Sequence, residues 1–219
     1  MINNPSLDFC LELSCSAKEV LVEEEGIGSD VAPCVFAFDE YGQCLGWAQM
    51  NESALNSEDQ YHRLAAVAGM MRSGWHAYGI ALLTEGYLMI HNDDDVDEDI
   101  SLAQLFASGD QNVLECLSVV YGDLDGHTAA CTLPYRQELG RKIKWLYGQT
   151  RRVDQGADGS FVTLLDQLFD YVDCTPWPRD APPSIYMMAI AAKMSDAGFT
   201  MVCGVPGTET AWNDEFDPE

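Results

Sequence analysis

The feature that most constrains the fold of this chain is a long apolar run from Gly79 to Ile90. Successive side chains of a β-strand point to opposite faces of its sheet. A strand that is apolar at both odd and even positions is therefore buried on both faces. The run predicts a strand at the centre of a sheet, and the other elements have to be arranged around it.

Two β-hairpins are predicted, one on each side of this run. Each consists of two apolar segments joined by a loop that contains aspartate and glycine, which tolerate the positive φ angles of tight turns. The paired segments are 33–38 with 44–50, around the turn 39–42, and 113–121 with 127–133, around the turn 122–126. Hairpins join antiparallel strands, so most of the sheet should be antiparallel.

Three helices are predicted before residue 110. Residues 6–25 fit a helical stripe (Phe9, Leu13, Ala17, Leu21) and a strand alternation equally well. We favour a helix because the segment is long and has no internal breaker, although the run 23–25 of three glutamates is unfavourable at a helix C-terminus. The second helix spans 57–73, with Ser57 as its N-cap, and a short third helix spans 101–107.

Together these elements predict an α+β core domain over residues 1–152. Its mostly antiparallel sheet has five or six strands, the last at 142–150, with the helices packed on one face. Residues 153–210 are expected to form a helical extension packed on the core, ending in a helix that Gly198 closes. Residues 211–219 form an acidic tail.

The most unusual property of the chain is its charge. The sequence has 36 Asp and Glu residues against 11 Lys and Arg residues, a formal net charge of −25 and a pI of about 4.1. Such a field repels nucleic acid and anionic lipid, which excludes phosphate binding over most of the surface. The expected partners are basic proteins or proteins that themselves bind nucleic acid.

Localisation and redox state follow from the apolar segments and the cysteines. The chain has neither a run of about 18 apolar residues nor a signal-peptide pattern, so we expect a cytoplasmic protein that does not bind membranes. Its eight cysteines lie singly among apolar residues, where a thiol behaves as a small hydrophobic group. We therefore expect reduced core thiols rather than disulfides.

The densest acidic run directly follows the central strand. It lacks the alternating ligands, the glycine and the bidentate glutamate of a calcium loop. The loop that begins at Asp154 fails the same test at Gly156 and Leu165. We expect a solvated acidic loop that binds the partner, and no metal or cofactor. The residues of this predicted partner-binding loop are Asp93, Asp94, Asp95, Asp97, Glu98 and Asp99.

Glu85 is the candidate catalytic residue because it interrupts the apolar central strand. A desolvated carboxylate is a candidate acid or base when a second group accompanies it. Four histidines are available (His62, His76, His91, His127), but no known catalytic motif includes them. A structural carboxylate bonded to a neighbouring donor is the favoured interpretation of Glu85.

Six of the eleven basic residues fall in one short stretch, interleaved with aromatic residues. Such a pattern is typical of single-stranded nucleic-acid binding by charge and stacking. The favoured interpretation is that the stretch pairs with acidic groups of the same chain or of a second copy in a homo-oligomer. The six residues of this basic patch are Arg136, Arg141, Lys142, Lys144, Arg151 and Arg152.

Several short segments between Val31 and Arg136 carry a resemblance to known proteins: 35–39, 81–87, 115–119 and 134–136. In this order they resemble uncharacterised proteins of bacteriophages and bacterial genomes. Those proteins carry a Ser-Glu-Ala-Trp-like strand where this chain has Thr84, Glu85, Gly86 and Tyr87. The resemblance covers about half of the chain. It implies a phage-encoded or mobile-element protein, and it implies no activity.

Three functions remain open at this point. The first is a non-enzymatic acidic protein, located in the host cytoplasm if phage-encoded, that binds a basic or nucleic-acid-binding host protein as a DNA mimic or inhibitor. The second is a small hydrolase or metal-dependent enzyme that uses Glu85 with a histidine. In the third, the acidity is a halophilic adaptation to the solvent and carries no information about partners.

Overall fold

The computed structural model describes residues 5–26, 28–51, 60–90, 101–138, 140–157 and 192–202. These residues form an α+β fold around an antiparallel sheet of eight strands, which confirms the predicted class. The strands are β1 (Cys34–Phe38), β2 (Cys44–Met50), β3 (Gly79–Met89), β4 (Val113–Asp123), β5 (Thr128–Glu138), β6 (Lys142–Trp145), β7 (Arg151–Val153) and β8 (Phe199–Val202).

The strand order β6-β5-β4-β3-β1-β2-β8 places β3 in the middle of the sheet, as the apolar run predicts. β1–β2 and β4–β5 are the two predicted hairpins, and Gly42 has a φ of 77° in the first turn. The sheet has eight strands rather than five or six because, beyond the strand predicted at 142–150, which contains β6, two short strands extend its edges: β7 and β8. β6 and β7 both pair with β5, and β8 pairs with β2.

Helices cover both faces of the sheet, rather than the single face that we expected. The helices are α1 (Pro5–Glu24), α2 (Gln60–Gly74) and α3 (Leu102–Ala107). α1 packs on the face that carries Phe36 and Leu83, and α2 packs on the opposite face, which carries Val35 and Leu82. The reason is the composition of β1 and β3: both are apolar at odd and even positions, so each face has to be removed from water.

The ambiguous first segment is a helix, α1, which confirms the favoured interpretation. Its most buried side chains lie one position away from the predicted stripe: Ser6, Leu7, Cys10, Ser14, Lys18 and Val22. The unfavourable glutamates at its C-terminus are offset by Arg141, whose Nη1 donates to the main-chain oxygens of Glu23 at 3.1 Å and Glu24 at 3.5 Å. A guanidinium at this position satisfies carbonyls that have no partner within the helix.

Part of the predicted C-terminal helical extension belongs to the sheet. Residues 192–196 are helical, Gly198 follows with a φ of 88°, and β8 then pairs with β2. Met194 and Phe199 are buried in the core beneath α2. The strand was missed because only four residues form it. The acidic loop of Asp93 to Asp99, the residues from 158 to 191 and the tail 211–219 lie outside the described residues.

Two further expectations can be compared with the described residues. Cys10, Cys15, Cys34, Cys44, Cys116 and Cys131 are free thiols, and all of them except Cys15 are buried. Among the described residues, no helix is long and apolar enough to cross a membrane.

Candidate functional site

Glu85 lies on β3 just beyond the last pair that β3 makes with β1, which joins Leu83 to Cys34. Its side chain is 7% exposed and points to the face that α1 covers. On its other side, β3 continues to pair with β4, where Leu117 is the partner of Glu85. The carboxylate therefore sits in a notch between β3, α1 and the segment that leads into β1.

Three donors from three parts of the chain hold the Glu85 carboxylate. Lys18 Nζ lies 2.6 Å from Oε1, and the Tyr135 hydroxyl donates to the same oxygen. The main-chain N–H of Val31 donates to Oε2 at 2.6 Å. Both carboxylate oxygens are thus engaged, as the structural interpretation of Glu85 expects.

Lys18 is the central residue that the sequence did not reveal. Its side chain is 0% exposed, although lysine is almost never fully buried without a partner. Besides Glu85, Nζ donates to the main-chain oxygen of Ser29 at 2.5 Å and lies 5.0 Å from the centre of the Tyr135 ring. We refer to Lys18, Glu85 and Tyr135 as the buried triad. It links α1, β3, β5 and the segment that precedes β1.

Two more carboxylates surround the buried triad. One ligand oxygen each of Asp30, Glu85 and Glu115 can be grouped within 4.8 Å, a spacing that a divalent cation requires. Asp30 is 74% exposed and lies 3.8 Å from Lys18 Nζ. The ammonium of Lys18 already supplies the positive charge at the centre of this group. A second cation beside it would be repelled, so we assign no metal to these residues.

The carboxylate of Glu115 has a pKa above its ordinary value. Its pKa is raised by burial and by the charges of Glu85 and Asp30, while Lys18 and a hydrogen bond from Gln137 oppose the increase. Gln137 Nε2 donates to both carboxylate oxygens of Glu115, at 3.1 and 3.2 Å. The pKa of Tyr135 is also raised, by burial and by its hydrogen bond to Glu85. Burial is the first cause of both raised pKa values, and the charge of Glu85 contributes to both.

Glu115 also separates two cavities. The larger has a volume of about 580 Å³ and is lined by Phe106, Leu114, Tyr135 and Gln137 among others. The smaller, about 210 Å³, lies beside Asp30, Glu85 and Tyr87. Between the two cavities lie the rings of Tyr87 and Phe106, whose centres are 4.9 Å apart. A half-buried carboxylate between two cavities can hold or release a proton, and Glu115 lines both of these cavities.

No described histidine hydrogen-bonds to Glu85. His127 lies at the β4–β5 turn, where its Nδ1 is 3.2 Å from both carboxylate oxygens of Asp123. This position is six residues along β5 from Leu133, which adjoins the Glu85 level of the sheet, or about 20 Å at the usual rise of a strand. His91 lies outside the described residues. The described structure therefore gives Glu85 a lysine and a tyrosine as partners.

The six residues of the basic patch do not form one surface. Arg136 and Lys144 are cross-strand neighbours on β5 and β6, and Lys142 follows on the same face. These three side chains are exposed. Arg141 binds the C-terminus of α1, and Arg152 pairs with Asp8 of α1 and with Asp154.

Arg151, the last residue of the patch, is exposed but also bonds to its own chain: its Nη2 donates to the main-chain oxygen of Met89 at 2.8 Å. Three of the six cations thus join separate segments of the chain, which supports self-pairing for that half of the patch. The predicted partner-binding residues Asp93 to Asp99 lie outside the described residues, so their relation to these cations stays a prediction.

The fold and the buried triad define an α+β protein with an eight-stranded antiparallel sheet and a buried lysine–glutamate–tyrosine contact. No protein-family model, curated protein or solved structure matches this chain. The function therefore has to be argued from the residues themselves.

Proposed function

We propose that this chain is a non-enzymatic acidic binding protein whose partner is a basic protein, in particular one that binds nucleic acid. The proposal rests on the hydrogen bonds that the described Lys and Arg side chains make. Six of them donate hydrogen bonds to oxygen atoms of their own chain: Lys18, Arg63, Arg72, Arg141, Arg151 and Arg152.

These internal bonds leave much of the negative charge without a neighbouring cation. Five of the six donate to main-chain oxygens, and of these five Lys18 also pairs with the carboxylate of Glu85. The sequence carries a net charge of −25, and among the described residues the exposed carboxylates include those of Glu12, Glu23, Glu24 and Glu40. A strongly acidic surface attracts a basic partner and raises its association rate, and both effects fall as salt increases. A partner that normally binds phosphates would present a suitable surface, as expected for a DNA mimic.

The enzymatic alternative has less support from the described residues. A general base needs a lone pair directed at a substrate, and three of the about four lone-pair sites of the Glu85 carboxylate accept bonds from Lys18, Tyr135 and Val31. Glu85 instead joins four segments of the fold, which is a structural role. The resemblance to phage proteins remains part of the proposal, since a phage-encoded protein commonly acts on a component of its host.

The proposal is tested with a heparin-binding fraction of a bacterial lysate, which is enriched in proteins that bind polyanions. The immobilised chain should retain a protein from this fraction at about 50 mM salt and release it at about 0.5 M. The purified chain should then compete with labelled DNA for that protein in a fluorescence anisotropy titration. Competition should weaken steeply as salt increases.

Two results would contradict this proposal. One is the absence of competition with DNA at low salt, because a partner bound elsewhere than its nucleic-acid site does not fit a DNA mimic. The other is a chain that unfolds in dilute buffer and folds only in molar salt, which would support the halophilic alternative. Circular dichroism at both salt concentrations therefore accompanies the titration.

A further inference from the structure

A groove of about 550 Å³ lies between α1 and the edge of the sheet formed by β5 and β6. Its apolar floor consists of Leu11 and Cys15 from α1, Leu133 from β5 and Trp145 from β6. The pKa of Cys15 is raised to about 12, first by burial, which agrees with an apolar surrounding. An open groove with an apolar floor is a typical binding site for a side chain of a partner.

The α1 side of this groove is acidic. Asp8, Glu12 and Glu19 line it at positions i, i+4 and i+11 of the helix, which place them on one face. Asp8 is paired with Arg152, and Glu19 accepts a hydrogen bond from Trp145 Nε1 at 2.6 Å. Glu12 is exposed, and its carboxylate has no partner among the described residues. The groove therefore holds a carboxylate that is free to pair with a cation from outside.

Two features of the opposite wall complete the groove. Tyr147 lies at the rim and is 70% exposed, an unusual position for a large aromatic side chain. The hydroxyl oxygen of Thr150 is buried and has no hydrogen-bond partner among the residues that the structure describes. Exposed aromatic residues and unsatisfied polar groups are found where proteins bind partners.

We propose that this groove binds a segment of the partner protein in which a lysine or arginine adjoins an apolar side chain. The inference rests on the proposed function and names the surface that carries it out. The cation pairs with Glu12, its aliphatic stem lies along Leu11, and the apolar neighbour contacts Trp145 and Tyr147. Long basic side chains suit such a site because they combine an apolar stem with a charged end.

Charge complementarity selects this occupant over others. Three carboxylates and one guanidinium, itself paired with Asp8, leave the groove with a net negative charge. Nucleic acid would be repelled from it. A purely basic segment would pair with Glu12 but would leave the apolar floor exposed to water, so the apolar neighbour is needed to bury that surface.

The test measures binding of a fluorescein-labelled peptide of alternating lysine and leucine by fluorescence anisotropy. Peptides of equal length with lysine and glycine, or with glutamate and leucine, serve as controls. The glycine peptide should bind at least about fivefold more weakly, because it lacks the apolar contact, and the glutamate peptide should not bind. The full chain is used throughout.

Two pairs of variants locate the binding site. Glu12→Gln should weaken binding about threefold to tenfold, whereas Asp196→Asn, an equal charge change at an exposed residue near β8, should change it by less than about twofold. Tyr147→Ala should weaken binding at least about fivefold, and Tyr41→Ala, at a tyrosine that is 77% exposed in the first hairpin turn, should have little effect. Circular dichroism verifies that each variant is folded.

The groove proposal is overturned if Glu12→Gln and Asp196→Asn weaken binding equally, since that result indicates unspecific attraction by the net charge. It is also overturned if sedimentation shows a dimer that Tyr147→Ala dissociates, because the occupant is then a second copy. In either case the competition with DNA described above still decides the proposed function. If that competition is retained by both groove variants, the function stands and its surface lies elsewhere.

Discussion

The buried pair of Lys18 and Glu85 offers the sharpest test of how this fold is held together. We consider the variants Glu85→Gln and Lys18→Met, which keep the size of each side chain and remove its charge. In Glu85→Gln the ammonium of Lys18 stays fully buried but loses its buried counter-ion; it keeps the main-chain oxygen of Ser29, the amide oxygen of the new glutamine and the exposed carboxylate of Asp30 at 3.8 Å. In Lys18→Met the carboxylate keeps two donors, from Tyr135 and Val31.

The expected magnitudes follow from these remaining contacts. Removing one partner of a buried ion pair typically costs about 3–5 kcal/mol, because the other charge is left without compensation. Glu85→Gln should therefore lose about 3–5 kcal/mol of unfolding free energy, which is a large part of the about 5–15 kcal/mol of a typical domain. Lys18→Met should lose less, because two hydrogen bonds still stabilise the carboxylate of Glu85.

The double variant is the informative one. With neither charge present, no uncompensated ion remains, so its loss should be smaller than the sum of the two single losses by about 2 kcal/mol or more. The assay is urea denaturation followed by tryptophan fluorescence. With a slope of about 2 kcal/mol per molar urea, Glu85→Gln should lower the midpoint by about 1.5–2.5 M.

The same chemical changes at Lys144 and Glu138 provide the matched control. Their charged groups are 3.7 Å apart, and their side chains are 62% and 52% exposed, so removing either charge should change the unfolding free energy by less than about 1 kcal/mol. The structural role of the buried pair is refuted if Glu85→Gln loses no more than this control. It is also refuted if the two single losses add within about 0.5 kcal/mol.

Three further predictions follow from other contacts. The pKa of Glu115 is raised above its ordinary value of 4.5 in the folded state, so its contribution to stability is present below pH 4.5 and is lost as the pH rises through the raised pKa. Glu115→Gln should therefore raise the melting temperature at pH about 8 but not at pH about 4. An equal change of the melting temperature at both pH values would contradict this cause. Arg141→Ala should lose about 0.5–1 kcal/mol of unfolding free energy because two carbonyls at the end of α1 lose their donor. Arg136→Ala, which removes no such bond, should lose less than half as much. Equal melting temperatures of the two variants would contradict the role of Arg141 at the C-terminus of α1. Burial raises the pKa of six described thiols: Cys10, Cys15, Cys34, Cys44, Cys116 and Cys131. Iodoacetamide at pH about 8 should therefore label them more than about 100-fold more slowly in the folded than in the urea-unfolded chain. Rapid labelling of these cysteines in the folded chain, measured per residue by mass spectrometry, would contradict this cause.

The parts of the fold that the sequence predicts well are those set by local patterns. The apolar run 79–90 predicts the central strand, and the loops 39–42 and 122–126 predict both hairpins, because alternation and turn residues act over a few positions. The strand predicted at 142–150 contains β6, whereas β7 and β8, with three and four residues, are too short for alternation to be recognised. The helices on both faces could have been inferred from β1, where every residue is buried.

The candidate site shows the limit of such patterns. Glu85 was recognised because a carboxylate inside an apolar strand is unusual, and its structural interpretation agrees with its contacts. Lys18 was missed because it lies 67 residues away in sequence, and only the packing of α1 on β3 brings the two charges together. One signal was available, since Lys18 continues the spacing of Leu7, Cys10 and Ser14 along the buried side of α1.

The way in which β6 and β7 share one edge of β5 bears on aggregation. An unpaired strand edge is a template on which another molecule can add its own strand, and β5 is eleven residues long. Residues 142–153 fold back along it and replace one long edge by two short ones. The exposed Lys142 and Lys144 then place charge on the β6 edge, which opposes the addition of further strands there. The chain should therefore resist fibril formation even at salt concentrations at which repulsion between its acidic surfaces is screened.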